Sequence, residues 1–167
     1  MNLTVYTDGA SRGNPGKSGA GVLILDENKQ KIASLNKYLG ILTNNEAEYK
    51  ALIISLEFLS DMADKGGIGE MSRKDMLFYA ELDVLFLLDS QLLVNQMNGV
   101  YSVKSANILP LYNKAQKLLK DIKALLKIRG SLLKATFRHI PRELNKEADK
   151  LANLAIDTSI ACIKAAG

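Results

Sequence analysis

The sequence predicts an α/β domain: a five-stranded mixed sheet, three strands antiparallel and two parallel, flanked by helices. Three observations predict it. Extended apolar segments and helical periodicities follow one another in the order βββαβααβα. The first three strands are joined by short, turn-rich connections, as in an antiparallel meander. The two later strands each follow a helix, so right-handed crossovers lay them parallel to the first. At 167 residues the chain has room for one domain.

Each element has its own signal. Residues 3–7 alternate, with Leu3 and Val5 on one face and Thr4 and Tyr6 on the other, and read as the first strand. Residues 8–16 are rich in Gly, Asn and Pro and read as a loop. Residues 21–25 form the second strand, residues 26–29 a turn and residues 32–39 the third strand. Thr43 and Glu46 make a capping box, in which each satisfies an orphan N–H of the other. It opens a helix on which Ala47, Ala51, Ile54 and Phe58 recur at helical spacing, fading near Asp64. Residues 65–74 are polar and glycine-rich, a loop. The nearly unbroken apolar run at 82–88 suits a central strand buried on both faces.

Asp89-Ser90-Gln91 ends that strand and caps a short helix, which stops around Asn98-Gly99. A long helix over 107–128 carries the stripe Leu111, Ala115, Leu118, Leu119, Ile122 and Leu126. Residues 132–138 are the fifth strand. Residues 143–157 are the last helix, with Ala148, Leu151, Ala152 and Ala155 toward the core. The expected domain covers 1–158, with an insertion at 63–81 and a tail at 159–167.

Composition narrows the function. With 47% hydrophobic and 24% charged residues the chain can bury a core, which excludes general disorder. No apolar run approaches the roughly 18 residues of a bilayer span, so no membrane association is expected. The first residues lack a basic n-region and meet Asp8 early, unlike a secretory signal. One cysteine, Cys162, excludes an internal disulfide framework and a cysteine-rich zinc site. The expected compartment is the cytoplasm and the expected state a monomer. The net charge, 22 − 18 = +4, is compatible with a polyanionic partner.

Four carboxylates stand at informative places. Asp8 and Asp89 end the first and fourth strands, where ligands of open α/β sheets bind. Glu48 shares a helix face with Leu52 and Leu59 and so points partly inward. Asp149 lies early in the last helix. Each also has an ordinary explanation: a turn residue for Asp8, a helix cap for Asp89, a first-turn dipole partner for Glu48, a solvated face for Asp149. Brought together, four carboxylates would repel, and a divalent cation removes that conflict. Oxygen ligands alone favour Mg²⁺ or Mn²⁺ over zinc, and two such ions serve in-line phosphodiester chemistry.

Four motifs carry a family resemblance: Tyr6-Thr-Asp8-Gly-Ala-Ser-Arg-Gly-Asn14-Pro-Gly16, Thr43-Asn44-Asn45-Glu46-Ala-Glu48, Asp89-Ser-Gln91, and His139-Ile-Pro-Arg-Glu-Leu-Asn145-Lys-Glu-Ala-Asp149. In this order, on fitting strand ends and helix starts, they resemble ribonuclease H type 1 over most of the chain. The resemblance implies the ribonuclease H-like fold. It also implies endonucleolytic hydrolysis of the RNA strand of RNA/DNA hybrids, leaving 3′-hydroxyl and 5′-phosphate ends. Asp8, Glu48, Asp89 and Asp149 fall on the family's metal-binding acids, holding two Mg²⁺ ions for which Mn²⁺ substitutes. His139 falls on its mobile histidine, which assists proton transfer or product release.

The resemblance further implies substrate contacts from Gly9, Asn14, Thr43, Asn44, Asn45, Ser90, Gln91 and Asn145. Amide side chains both donate and accept, which suits the 2′-hydroxyls displayed in the shallow minor groove of a hybrid. Many members carry a tryptophan-bearing basic protrusion. This chain has no Trp and only 98–108 in that place, so it resembles a compact type in which Lys104 and the lysines of the long helix replace the handle in part. A binding module that keeps the fold without cleaving has no need of all four acids.

Overall fold

The computed structural model of the chain describes residues 1–65 and 81–165. Strands β1 (Asn2–Gly13), β2 (Gly16–Leu25) and β3 (Lys31–Leu42) form the antiparallel meander. Helix α1 (Asn44–Lys65) leads on to β4 (Glu81–Leu88), α2 (Gln91–Met97) and α3 (Leu109–Ile128). Strand β5 (Leu132–His139), a 3₁₀ turn (Arg142–Leu144) and α4 (Lys146–Ala165) complete the order. The sheet runs β3-β2-β1-β4-β5, with β1, β4 and β5 parallel to one another. The expected mixed sheet and element order are therefore present. Among the described residues no helix is long and apolar enough to cross a membrane.

Several boundaries differ from the sequence reading, each for a tertiary reason. Of the loop expected over 8–16, residues 8–13 extend β1, because β2 begins at Gly16 and pairs with them residue by residue, Asp8 with Gly21 and Gly13 with Gly16. Pairing overrides the turn propensity of Gly9 and Gly13, while Asn14 and Pro15 form the turn itself. Helix α4 starts later than expected, after the 3₁₀ turn, and continues through residues 158–165, which contain no Gly or Pro to stop it. Most of the expected insertion at 63–81, namely 66–80, lies outside the described residues. Its first residues simply prolong α1, and Glu81 begins β4.

The two sheet faces are covered unequally. On one face Leu3, Val5, Val22, Ile24, Val84, Phe86 and Leu88 form the core with Leu52, Leu56 and Leu59 of α1 and Ile122 of α3. Phe86 and Phe137 stack there at 4.8 Å between ring centroids. On the other face α4 packs over β1, β2 and β3. It does not extend over β4, so Leu85 and Leu87 are half-buried rather than buried as expected.

Two glycines set the helix distances. A Cβ on Gly9 would lie 2.1 Å from the Glu48 backbone N, and one on Gly21 would lie 2.1 Å from the Ala148 carbonyl O. Only residues without a side chain allow α1 and α4 to sit this close to the sheet.

Candidate active site

The site forms where β4 runs out. Parallel pairing of β1 with β4 ends at Thr7 and Leu88, and the next residues, Asp8 and Asp89, stand side by side at the end of the ladder. Asp8 is thus in the middle of a long strand, not at its end, yet at the carboxyl edge of the parallel part of the sheet. The cap reading of Asp89 does not hold. Ser90 caps α2, its Oγ accepting from the Leu93 N–H at 3.4 Å, which leaves the Asp89 carboxylate to the site.

Glu48 comes from the first turns of α1. The capping box there is complete: the Thr43 N–H donates to Glu46 Oε2 at 2.9 Å, and the Glu46 N–H donates to Thr43 Oγ1 at 3.3 Å. With the helix start held and Gly9 beneath it, Glu48 turns inward at 6% exposure. The oxygens offered by Asp8, Glu48 and Asp89 all lie within 4.8 Å of one another.

This arrangement is electrostatically costly. Burial, then the charges of Asp89 and Asp149, push Asp8 up from 3.8 to about 7, against the opposing pull of Arg142 and the Gly9 N–H. Burial also holds Glu48 well above the usual carboxylate range, with Asp8 and Asp89 adding to the effect. Glu48 Oε2 is buried without a hydrogen-bond partner. An orphaned buried carboxylate oxygen in an all-oxygen cluster fits a hard divalent cation.

Asp149, the fourth expected acid, is near but separate. Ala148 sits on Gly21, and Gly21 pairs with Asp8, so α4 delivers Asp149 to the side of Asp8. Its Oδ1 accepts from Arg142 Nη2 at 2.9 Å and is not among the three converging carboxylates. Arg142 carries no role in the sequence reading. Its signal is its place seven residues before Asp149, on the turn that enters α4.

Of the other expected contacts, Gly9, Asn44 and Ser90 line an open cavity of about 420 Å³, with Ser11, Arg142 and Asn153 beside them. Asn14 tops the β1–β2 hairpin, and its Oδ1 accepts from the Asn44 N–H at 3.1 Å. Asn45 and Gln91 are exposed in the first turns of α1 and α2. His139 is exposed at the end of β5, paired in register with Leu88. Lys104 is exposed in the connection before α3, outside the cavity lining.

Asn145, also an expected substrate contact, lies inside the fold. It is 1% exposed, and its amide donates to the Thr7 carbonyl at 2.9 Å and to Asp89 Oδ1 at 3.3 Å. Its amide thereby ties Asp89 to the end of β1.

Fold and site together define an α/β domain with three acids that could hold a metal ion at the carboxyl edge of its parallel strands. Comparison with known proteins makes this particular. The family model described as RNase H matches residues 1–157. A bifunctional protein of Mycobacterium tuberculosis is 31% identical over 160 residues, 95% of this chain and 36% of that protein. The chain thus spans about a third of the length of that relative. RNase H1 of Halobacterium salinarum superposes with a TM-score of 0.72 at 28% identity, covering 95% of this chain and 99% of that one. LC11-RNase H1, isolated from compost and crystallised with an RNA/DNA hybrid, gives 0.69 at 37% identity, covering 95% and 99%. The chain belongs to the RNase H family.

Proposed function

We propose that this protein is an endonuclease that hydrolyses the RNA strand of RNA/DNA hybrids. The observation that carries the reading is the convergence of Asp8, Glu48 and Asp89 within 4.8 Å, in a chain of this family. A relative crystallised with a hybrid supports the substrate.

Asp8, Glu48 and Asp89 would hold one Mg²⁺, and Asp149 with Asp8 would contribute to a second; Mn²⁺, of the same ligand preference, would substitute. Bound there, the ions supply an activated water and charge neutralisation at the leaving oxygen. The products are a 3′-hydroxyl and a 5′-phosphate. The chain's own groups do the rest. Gly9 lets Glu48 approach Asp8, Asn145 orients Asp89, and the two buried acids hold their protons less readily as the site fills with positive charge. His139, exposed at the end of β5 in register with Leu88, would assist proton transfer or product release.

Asn44 and Ser90, which line the cavity, together with Asn14, Asn45 and Gln91 would offer groups suited to 2′-hydroxyls, while Thr43 and Lys104 would meet phosphates. Recognition is then by sugar and shape. The same reading makes the protein a monomer of the cytoplasm.

The test is cleavage of an end-labelled RNA/DNA hybrid, with RNA/RNA and DNA/DNA duplexes in parallel, in Mg²⁺, Mn²⁺ or chelator. Cutting confined to the RNA strand of the hybrid, lost in chelator and in Asp8→Asn, is expected. Metal-independent cutting, or undiminished cutting by Asp8→Asn, would overturn the proposal.

A further inference from the structure

Among the described residues, Arg142 is the one cationic side chain lining the carboxylate cavity. It does not sit there on a loose segment. Its 3₁₀ turn is closed by Leu144 N–H to the Pro141 carbonyl and Asn145 N–H to the Arg142 carbonyl, both at 2.9 Å. Asn145 then ties the turn to Thr7 and Asp89. The scaffold that orients Asp89 therefore also presents Arg142.

The carboxylate it meets is a special one. Of the described ion pairs, Arg142–Asp149 has the least exposed acid, at 29%. Asp149 lies near enough to Asp8 for its charge to be felt there. Fully ionised, the four carboxylates at this end would carry four negative charges, and Arg142 would leave three. A divalent ion that drew Asp149 into the cluster would compete with the guanidinium for its charge.

We propose that Arg142 is a positioning residue that competes with a divalent cation for Asp149, so that it weakens the second cation site and keeps Asp149 turned away from the other three acids. This rests on the metal-site reading above and adds a regulatory element to it. Arg142 is 74% exposed, so its replacement removes a charge and one contact without opening the core.

The experiment is Mn²⁺ titration of the full chain without nucleic acid, followed by the electron paramagnetic resonance of free Mn²⁺. Wild type, Arg142→Gln, Arg142→Lys and Arg142→Gln/Asp149→Asn are compared. Freeing Asp149 from this partly exposed ion pair is expected to tighten the weaker site by roughly two- to fivefold, the competition that the pairing imposes. Arg142→Lys, which keeps the charge, should bind like wild type, and the gain should vanish in the double variant. Equal affinities in wild type and Arg142→Gln would overturn the proposal. So would a gain that survives Asp149→Asn, since that would be a general charge effect. If wild type binds no Mn²⁺, the metal-site reading itself fails, a result distinct from either.

Discussion

Replacing Asp8 with asparagine should make the metal-free protein more stable while disabling the site. The reason lies in the proton balance. In the unfolded chain Asp8 ionises near 3.8, whereas in the fold burial and the neighbouring acids hold it to about 7. Between those values the folded state binds the extra proton. Its stabilising effect is complete below about pH 4 and is lost as pH rises through 7. A rise of roughly three pH units corresponds to about 4 kcal/mol lost at pH 8, an upper bound because chain and water relax around the charge. Glu48 adds to the loss in the same direction.

Asparagine keeps the shape and removes the charge. In chelator at pH 8, Asp8→Asn should therefore gain about 1–3 kcal/mol, or roughly 3–10 °C in Tm for a domain of this size. Its stability should also fall less between pH 4 and 8. Urea unfolding followed by circular dichroism across that range measures both. Adding Mg²⁺ should raise the Tm of wild type and leave the variant nearly unmoved. A wild type that grows more stable from pH 5 to 8 in chelator, with a parallel curve for Asp8→Asn, would refute the argument that the acids store repulsion for a cation.

Three further substitutions probe the scaffold. Gly21→Ala places a Cβ 2.1 Å from the Ala148 carbonyl O, so α4 must move away, at a cost of about 1–3 kcal/mol in thermal unfolding. Hybrid cleavage should fall more than stability, because Asp149 moves with the helix. Thr43→Ala breaks the capping box and should cost about 1 kcal/mol in urea unfolding. Tyr49→Phe removes the hydroxyl that donates to Gln96 Oε1 at 2.7 Å between α1 and α2, and leaves a buried acceptor unpaired. It should cost about 1–3 kcal/mol, and Tyr49→Phe/Gln96→Leu should recover most of it in the same assay.

What could be read in the sequence was what near neighbours decide. The inward turn of Glu48 follows from its spacing to Leu52 and Leu59, both buried. The Thr43–Glu46 box is a matter of three residues. Asp89 was ambiguous because both it and Ser90 are good caps, and the choice rested on which side chain reached Leu93 N. Of the turn-rich stretch after Asp8, Asn14 and Pro15 do form the hairpin turn, while residues 9–13 are drawn into β1 by pairing with β2, which no local propensity shows.

The sequence by itself determined the order of elements, the capped start of α1 and the kind of ligand atoms available, since propensity, periodicity and side-chain chemistry are local. Only the tertiary structure decided that Asp8, Glu48 and Asp89 converge while Asp149 is held by Arg142. Those distances depend on the register of β1 with β4 and on the approach of two helices over Gly9 and Gly21, and both join residues far apart in the chain.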